Sequence, residues 1–309
     1  MHGRAVVFVL GSGHCGSTLL DLILGSHSDA FSLAEFIHIS QLIDTPDAER
    51  GPICAICEGS CAFWDETVSR DALAALYSHK NLYRSLRRRA TRWVRNPYGP
   101  LFEWTGKPIL IDSSKSANWF DRQMSPAYLW RDVEPHLIHL VRDGRAVVHS
   151  YLRKYPQRGI EAMTKNWKQG TLSMNKYFDA FPHAKIRIRY EDLSREPEAT
   201  ARALCEWLEV PFEPGMLTYW NHDHHPVAGN AGTYSLVLKQ HEQFGRSSAD
   251  FRIAVNAGNR YYARDYYETL GLAIKPDTRW KQEMSAADAA VFNRIAGDLN
   301  GSLADDAAD

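Results

Sequence analysis

Short runs that are apolar at nearly every position alternate along this chain with longer stretches whose apolar residues recur at helical spacing. Val6-Val7-Phe8-Val9-Leu10, Pro108-Ile109-Leu110-Ile111-Asp112 and His136-Leu137-Ile138-His139-Leu140-Val141 are three such runs. Their length and β-branched content predict buried strands of a parallel sheet. Phe31 to Phe36 predicts a short second strand, and Ala184 to Leu193 a strand that leaves at a polar end. After the first run, Ser17-Thr18 opens an apolar stretch, Leu19, Leu20, Leu22, Ile23 and Leu24, which Gly25 can stop as a helix C-cap. Helices are also predicted over 70–96, from about Arg145 to Lys154, over 160–181 and over 197–208, the last with a proline in its first turn. Strand and helix alternate, which is the signature of an α/β protein.

At 309 residues the chain is long enough for one large α/β domain with a sizeable core. No internal repeat or linker divides it, so a single domain over 1–309 is expected. Net charge is −1 with 24% charged residues, which excludes bulk binding of nucleic acid as a partner. Met1-His2-Gly3-Arg4 leads straight into the first strand, and no apolar run is long enough to span a bilayer. The expectation is a cytoplasmic protein with no integral membrane segment.

Three places carry candidate chemistry. Gly11-Ser12-Gly13-His14-Cys15-Gly16 joins the first strand to Ser17-Thr18. A strand, a glycine-rich turn and a helix start aim backbone N–H groups and the positive helix end at one point, where an anion fits. No Gly-Lys pair is present, so this is not the usual nucleoside-triphosphate loop. Glu35 is the sole candidate for the acidic ribose ligand of a dinucleotide fold, which leaves that reading weakly supported. Second, Arg142 ends the strand at Val141, and Ser150 and Lys154 share one face of the helix that follows. A guanidinium fork, a hydroxyl and an ammonium suit a phosphate dianion. Third, Glu35 and Asp112-Ser113-Ser114-Lys115 stand at strand ends, which in parallel sheets face the ligand crevice.

Two further clusters could hold metal. Cys54-x-x-Cys57-x-x-x-Cys61 has a spacing that suits zinc or a redox pair, with His38 or Cys205 as conceivable fourth ligands. Reduced thiols are the reading adopted here. In Asn221-His222-Asp223-His224-His225-Pro226-Val227-Ala228-Gly229-Asn230 the histidines are too close in sequence to converge on one ion, and a loop closing over a ligand is expected. The arginines from Arg84 to Arg95 are read as a solvated helix face. The expected metal complement is none.

The loop His14-Cys15-Gly16-Ser17-Thr18-Leu19-Leu20 resembles the 5′-phosphosulfate loop of sulfotransferases that use 3′-phosphoadenosine 5′-phosphosulfate (PAPS), in their bacterial and Golgi-type branch. There the loop reads Arg-Ser-Gly-Ser/Thr-Thr-Leu-Leu, so His14 stands for the basic residue and Cys15 for the serine. Val141-Arg142-Asp143-Gly144-Arg145-Ala146-Val147, with Ser150, is similar to the family's 3′-phosphate motif. Asp112 to Lys115, Arg189-Tyr190-Glu191-Asp192-Leu193 and His225 to Asn230 resemble three other stretches of the family. The resemblance implies a P-loop-like three-layer fold with a central parallel sheet flanked by helices. It implies PAPS as donor co-substrate, without metal, and a hydroxyl of a carbohydrate, glycolipid or small natural product as acceptor. It places Gly13, Cys15, Gly16, Ser17 and Thr18 on the 5′-phosphosulfate. Arg142, Ser150 and Lys154 fall on the 3′-phosphate, and Tyr190 lines the nucleotide site. Glu35 becomes the acceptor base, and Lys115 with His14 stabilises charge on the bridging oxygen. Residues 40–105 and 211–260 become insertions that shape the acceptor site. Two other readings stay open. One is a nucleotide kinase or NTPase. The other is a nucleotide-binding protein impaired in catalysis by His14.

Overall fold

A computed structural model of the chain describes residues 3–45, 53–57, 61–68, 70–78, 94–125, 128–130, 132–243 and 270–305. Five strands form one parallel sheet: β1 (Arg4–Leu10), β2 (Ala30–Ala34), β3 (Ile109–Asp112), β4 (Val133–Val141) and β5 (Lys185–Arg189). Their spatial order is β2-β3-β1-β4-β5. Val6 to Phe8 pair with Leu110 to Asp112 on one side, and Arg4 to Leu10 pair with Val133 to His139 on the other. The central strand is therefore sheathed on both edges. Ala5 to Val9 are fully buried, as an uninterrupted apolar run requires.

The chain leaves β1 toward β2, returns to β3 beside β1, and then crosses to β4 and β5. Strand order thus reverses at β1, the place where open α/β sheets build their ligand crevice. Every strand ends on this edge. Glu35 follows β2 directly, Arg142 follows β4 directly, Tyr190 follows β5 directly, and Lys115 comes three residues after β3.

Helices cover both faces. Those that serve the site are α1 (Ser17–Leu24), α2 (Ala117–Gln123), α3 (Gly144–Lys154), α4 (Ile160–Ala180), α5 (Tyr190–Arg195), α6 (Pro197–Trp207), α7 (Ala231–Gln243) and α8 (Ala286–Asp305). Phe8, Phe36, Tyr98 and Phe120 anchor the larger core, where Phe8 and Phe120 lie 4.6 Å apart between ring centres. Val147, Val148, Trp167 and Phe292 form a second core where α3, α4 and α8 meet. Among the described residues no helix is long and apolar enough to cross a membrane.

The helix predicted over 70–96 is described only at its two ends, since 79–93 lie outside the described residues. At one end a helix spans Arg70–Tyr77, and at the other Val94–Arg95 form a two-residue parallel pairing with Tyr128–Leu129. Backbone pairing with a distant segment overrides local helical periodicity there. The arginines from Arg84 to Arg92 lie outside the described residues. The region expected to be irregular over 211–260 contains the thirteen-residue α7, and its stretch 244–269 also lies outside them.

Candidate active site

Leu10 hands the chain to a loop whose shape depends on two glycines. A Cβ on Gly16, where φ is +99°, would meet the Tyr190 ring at 2.4 Å, and one on Gly13 would meet the Tyr151 hydroxyl at 2.1 Å. Gly16 is the N-cap of α1 and supplies no side-chain cap, so the helix start is left to its backbone N–H groups and to the side chains of Ser17 and Thr18. His14 is also left-handed, at φ 64°. Consecutive turns of this kind fold backbone amides around an anion.

The Lys115 turn is held from beneath. The Asp112 carboxylate, fully buried, accepts from Tyr98 Oη at 2.6 Å, Trp119 Nε1 at 2.8 Å and the Ser114 N–H at 2.9 Å. Burial pushes its pKa up against those hydrogen bonds. Ser113 N donates to Ala34 O at 2.9 Å and Ser114 Oγ accepts from Ile37 N at 2.9 Å, so the ends of β2 and β3 are tied together. Lys115 then folds back over the anion loop. Its Nζ donates to Glu35 Oε1 at 2.6 Å, to Ser17 Oγ at 3.2 Å and to Ser113 O at 3.3 Å. Burial pushes Glu35 up, but the His38 hydrogen bond and Lys115 outweigh it and hold the carboxyl at about 2.

Arg142 lies over the Tyr190 ring at 4.2 Å. Its Nη1 donates to the His14 carbonyl at 2.8 Å and its Nη2 to Asp277 Oδ2 at 3.2 Å, while its buried Nε has no partner. Asp277 also accepts two bonds from Arg279, both at 2.8 Å. Burial opposes ionisation of Asp277, but the two arginines prevail and its pKa lies below the usual carboxylate range.

Gly13, His14, Gly16, Ser17, Thr18, Glu35, Lys115, Arg142, Ser150, Lys154 and Tyr190 line one cavity of ≈590 Å³. Eleven of the twelve residues named from the sequence thus converge. The twelfth is corrected: Cys15 points into the core at 1% exposure, its sulfur against Gly11, because the Cys15 N–H bonds the Ser12 carbonyl at 3.2 Å and turns the side chain inward. His14 is uncharged near neutral pH. Burial and the nearby Lys154, Arg142 and Lys115 lower it to about 4, against Glu35. Permanent charge near His14 comes from Lys154, Arg142 and Lys115.

Sequence reasoning missed Tyr151, Asp277 and Arg279, which line the same cavity. It also missed His38, whose Nε2 stands 3.4 Å from Glu35 Oε2. The loop before α7 does reach the anion loop, because Asn230 N donates to Thr18 Oγ1 at 3.1 Å. The neighbouring histidines disperse. His222 Nε2 is 3.1 Å from Gly215 O, and His224 Nε2 is 2.8 Å from Tyr219 O. His225 alone turns toward the cysteines, with Nδ1 3.3 Å from Cys61 Sγ. Neither His38 nor Cys205 joins that cluster; the Cys205 thiol contacts the Met216 sulfur at 3.7 Å instead.

Residues 6–214 match the model of the sulfotransferase family. The chain belongs to the sulfotransferase family. Two nematode proteins, from Caenorhabditis elegans and Caenorhabditis briggsae, both named "Putative protein-tyrosine sulfotransferase", are 32% identical over 88 residues and 30% identical over 98 residues. Those stretches are 26% and 30% of this chain, and the chain spans about a third of the length of either relative (34% and 33%). The fold of this sulfotransferase is also that of two solved domains. One is the sulfotransferase domain from the curacin biosynthetic pathway, with TM-score 0.54 and 22% identity, covering 96% of this chain and 97% of that one. The other is the sulfotransferase domain from the Synechococcus PCC 7002 olefin synthase, with TM-score 0.51 and 17% identity, covering 95% of each.

Proposed function

We propose that this sulfotransferase moves a sulfuryl group from PAPS to a hydroxyl of a carbohydrate, glycolipid or small natural product. The observation that carries the reading is the position of Lys115 Nζ, between Ser17 Oγ at 3.2 Å on the anion loop and Glu35 Oε1 at 2.6 Å. Group transfer of this kind needs alignment and neutralised charge more than covalent chemistry. A cation touching both an anion loop and a carboxylate base meets that need.

The residues fit a multiply charged donor. The cavity is lined by six permanent cations, Lys115, Arg142, Arg153, Lys154, Lys275 and Arg279, against the carboxylates Glu35 and Asp277. Gly13 and Gly16 let the Tyr151 and Tyr190 rings close against the loop, and Arg142 Nε is buried without a partner. The loop from Gly13 to Thr18 would hold the 5′-phosphosulfate. Arg142, Ser150 and Lys154 would hold the 3′-phosphate, and Tyr190 would line the nucleotide site. When bound, the donor supplies an activated sulfuryl group and a phosphate leaving group.

The chain's own part lies in Glu35 and Lys115. Glu35 takes the proton of the acceptor hydroxyl. Lys115 weakens that base while it is paired with it, and strengthens it on turning to the bridging oxygen. Donor engagement and base strength are thereby coupled through one side chain. His14 contributes an imidazole beside the anion loop. Residues 40–105 and 211–260 shape the acceptor side of a single domain. The deciding experiment is calorimetric titration with 3′-phosphoadenosine 5′-phosphate, AMP, ATP and NAD, followed by an acceptor screen with labelled donor that includes a tyrosine phenol. Preference for the 3′,5′-bisphosphate and transfer of label are expected. Preference for ATP would favour a kinase or NTPase.

A further inference from the structure

The thiols of Cys54, Cys57 and Cys61 and the imidazole of His225 bring their ligand atoms within 4.8 Å of one another. We propose that these four side chains bind one zinc ion, and that this ion is a structural staple for the loop behind Glu35 and Thr18.

The distances suit a tetrahedral ion. With Zn–S of about 2.3 Å and Zn–N of about 2.0–2.1 Å, the S···N edge of a tetrahedron is about 3.6 Å. Cys57 Sγ lies 3.7 Å and Cys61 Sγ 3.3 Å from His225 Nδ1, on either side of that value. The sulfurs already accept the hydrogen bonds that favour thiolates over thiols. Ile56 N and Cys57 N donate to Cys54 Sγ at 3.4 and 3.3 Å, and Trp64 N donates to Cys61 Sγ at 3.4 Å. Three thiolates and one imidazole form a soft, nitrogen- and sulfur-only set, which selects zinc over hard cations.

Neighbouring residues hold both the backbone and the ring of His225 in place. Trp64 Nε1 donates to the His225 carbonyl at 2.7 Å, and the Phe63 and Phe31 rings stack on the imidazole at 5.8 and 6.5 Å. Cys54 and Cys61 are 1% exposed, and Cys57 and His225 are half-buried. Four protein ligands leave no open position, as in structural rather than catalytic zinc sites.

The position of the cluster gives the ion its task. The chain running on from His225 is bonded at successive points to the active-site framework. Pro226 O accepts from Ala55 N at 2.7 Å, Val227 N donates to Leu33 O at 3.2 Å, and Ala228 O accepts from Glu35 N at 3.2 Å. Asn230 N then reaches Thr18 Oγ1 at 3.1 Å. An ion at His225 joins two segments 164 residues apart and sets the register of the strip that supports both the candidate base and the anion loop. Each thiol releases its proton to solvent on binding, and no electron is transferred.

The test uses the full chain, produced with zinc in the medium and purified under nitrogen without chelator. Elemental analysis should give about one zinc per chain. Replacement by Co(II) should give the intense sulfur-to-cobalt charge-transfer band and the visible ligand-field bands of a tetrahedral thiolate site. Cys61→Ser and His225→Ala should lose the metal, while Cys205→Ser keeps it. Chelation of the wild type should speed amide exchange at Val227 and Asn230 and leave β1 protected. Absence of zinc together with a cobalt spectrum lacking the sulfur band would overturn the proposal. So would a disulfide among the three cysteines in protein kept anaerobic. If the variants fail to fold, the wild-type metal content and cobalt spectrum decide.

Discussion

The Lys115 ammonium stands 2.6 Å from the Glu35 carboxylate and shares its remaining bonds with Ser17 and the Ser113 carbonyl. Each side chain sets the charge state of the other, and both stand where the acceptor would meet the anion loop. Glu35→Gln keeps the shape and removes the base. Turnover should fall by ~10²–10⁴ while affinity for 3′-phosphoadenosine 5′-phosphate stays near wild type. Near-full turnover of the variant would remove Glu35 from the reaction.

Lys115→Met should expose how Glu35 is kept ionised. Burial favours the neutral acid, and His38 with Lys115 opposes it to hold the carboxyl at about 2. Without the ammonium, the carboxyl should titrate at higher pH, as followed by carbon-13 NMR of that group. An unchanged titration would leave His38 as its sole support. Turnover should also drop by ~10²–10³, the usual loss when one donor to a developing negative charge is removed.

The proposed 3′-phosphate role of Arg142 makes it the residue that discriminates nucleotides. Loss of a charge-assisted phosphate contact costs ~1.5–3 kcal/mol, so Arg142→Ala should bind 3′-phosphoadenosine 5′-phosphate roughly ten- to a hundred-fold more weakly. AMP, which lacks the 3′-phosphate, should be much less affected. Equal losses for both nucleotides in calorimetry would move the 3′-phosphate site elsewhere.

Two buried groups pull stability in opposite directions over one pH range. Burial raises Asp21 to about 7 from an unfolded value near 3.8, so between those values the folded state holds the extra proton and stability falls as pH rises. Burial and three cations lower His14 to about 4, so between pH 4 and 6.5 the unfolded state holds the extra proton and stability rises with pH. Asp21→Asn should therefore gain stability relative to wild type from pH 4 to 7, by up to roughly 4 kcal/mol. His14→Gln should gain it in the opposite sense, toward low pH. Urea unfolding at several pH values reads both, and a pH-independent difference for either variant would refute its assignment.

Glu35, Lys115 and Arg142 were legible in the sequence because each stands at or just past the end of a predicted strand, whereas Tyr190 was named from the family resemblance. Parallel strands end on one edge, so the strands bring these residues to one cavity. Cys15 was misplaced because loop direction depends on the Ser12 carbonyl bond, which no periodicity reports. Asp277, which reaches Arg142 across 135 residues of chain, and Arg279, which bonds Asp277, were missed because their segment has no local pattern. His225 meets the cysteines for reasons equally nonlocal, whereas His38, the nearer candidate in sequence, is taken by Glu35.

His14, Ala34 and Lys115 are non-glycine residues with φ of 64°, 55° and 56°, and they stand at the ends of three neighbouring strands. A side chain in this conformation costs about 1–2 kcal/mol. Glycine would adopt this conformation without that cost at all three places. At 14 and 115 glycine would delete a group that faces the cavity, so there the fold is held below its attainable stability by what the side chain does. Ala34 carries no such group, yet its buried methyl fills space beside Glu35, so Ala34→Gly would relieve strain while loosening the hinge on which the carboxylate is aimed. Stabilising this framework and keeping its aim are separate demands, and they meet at residue 34.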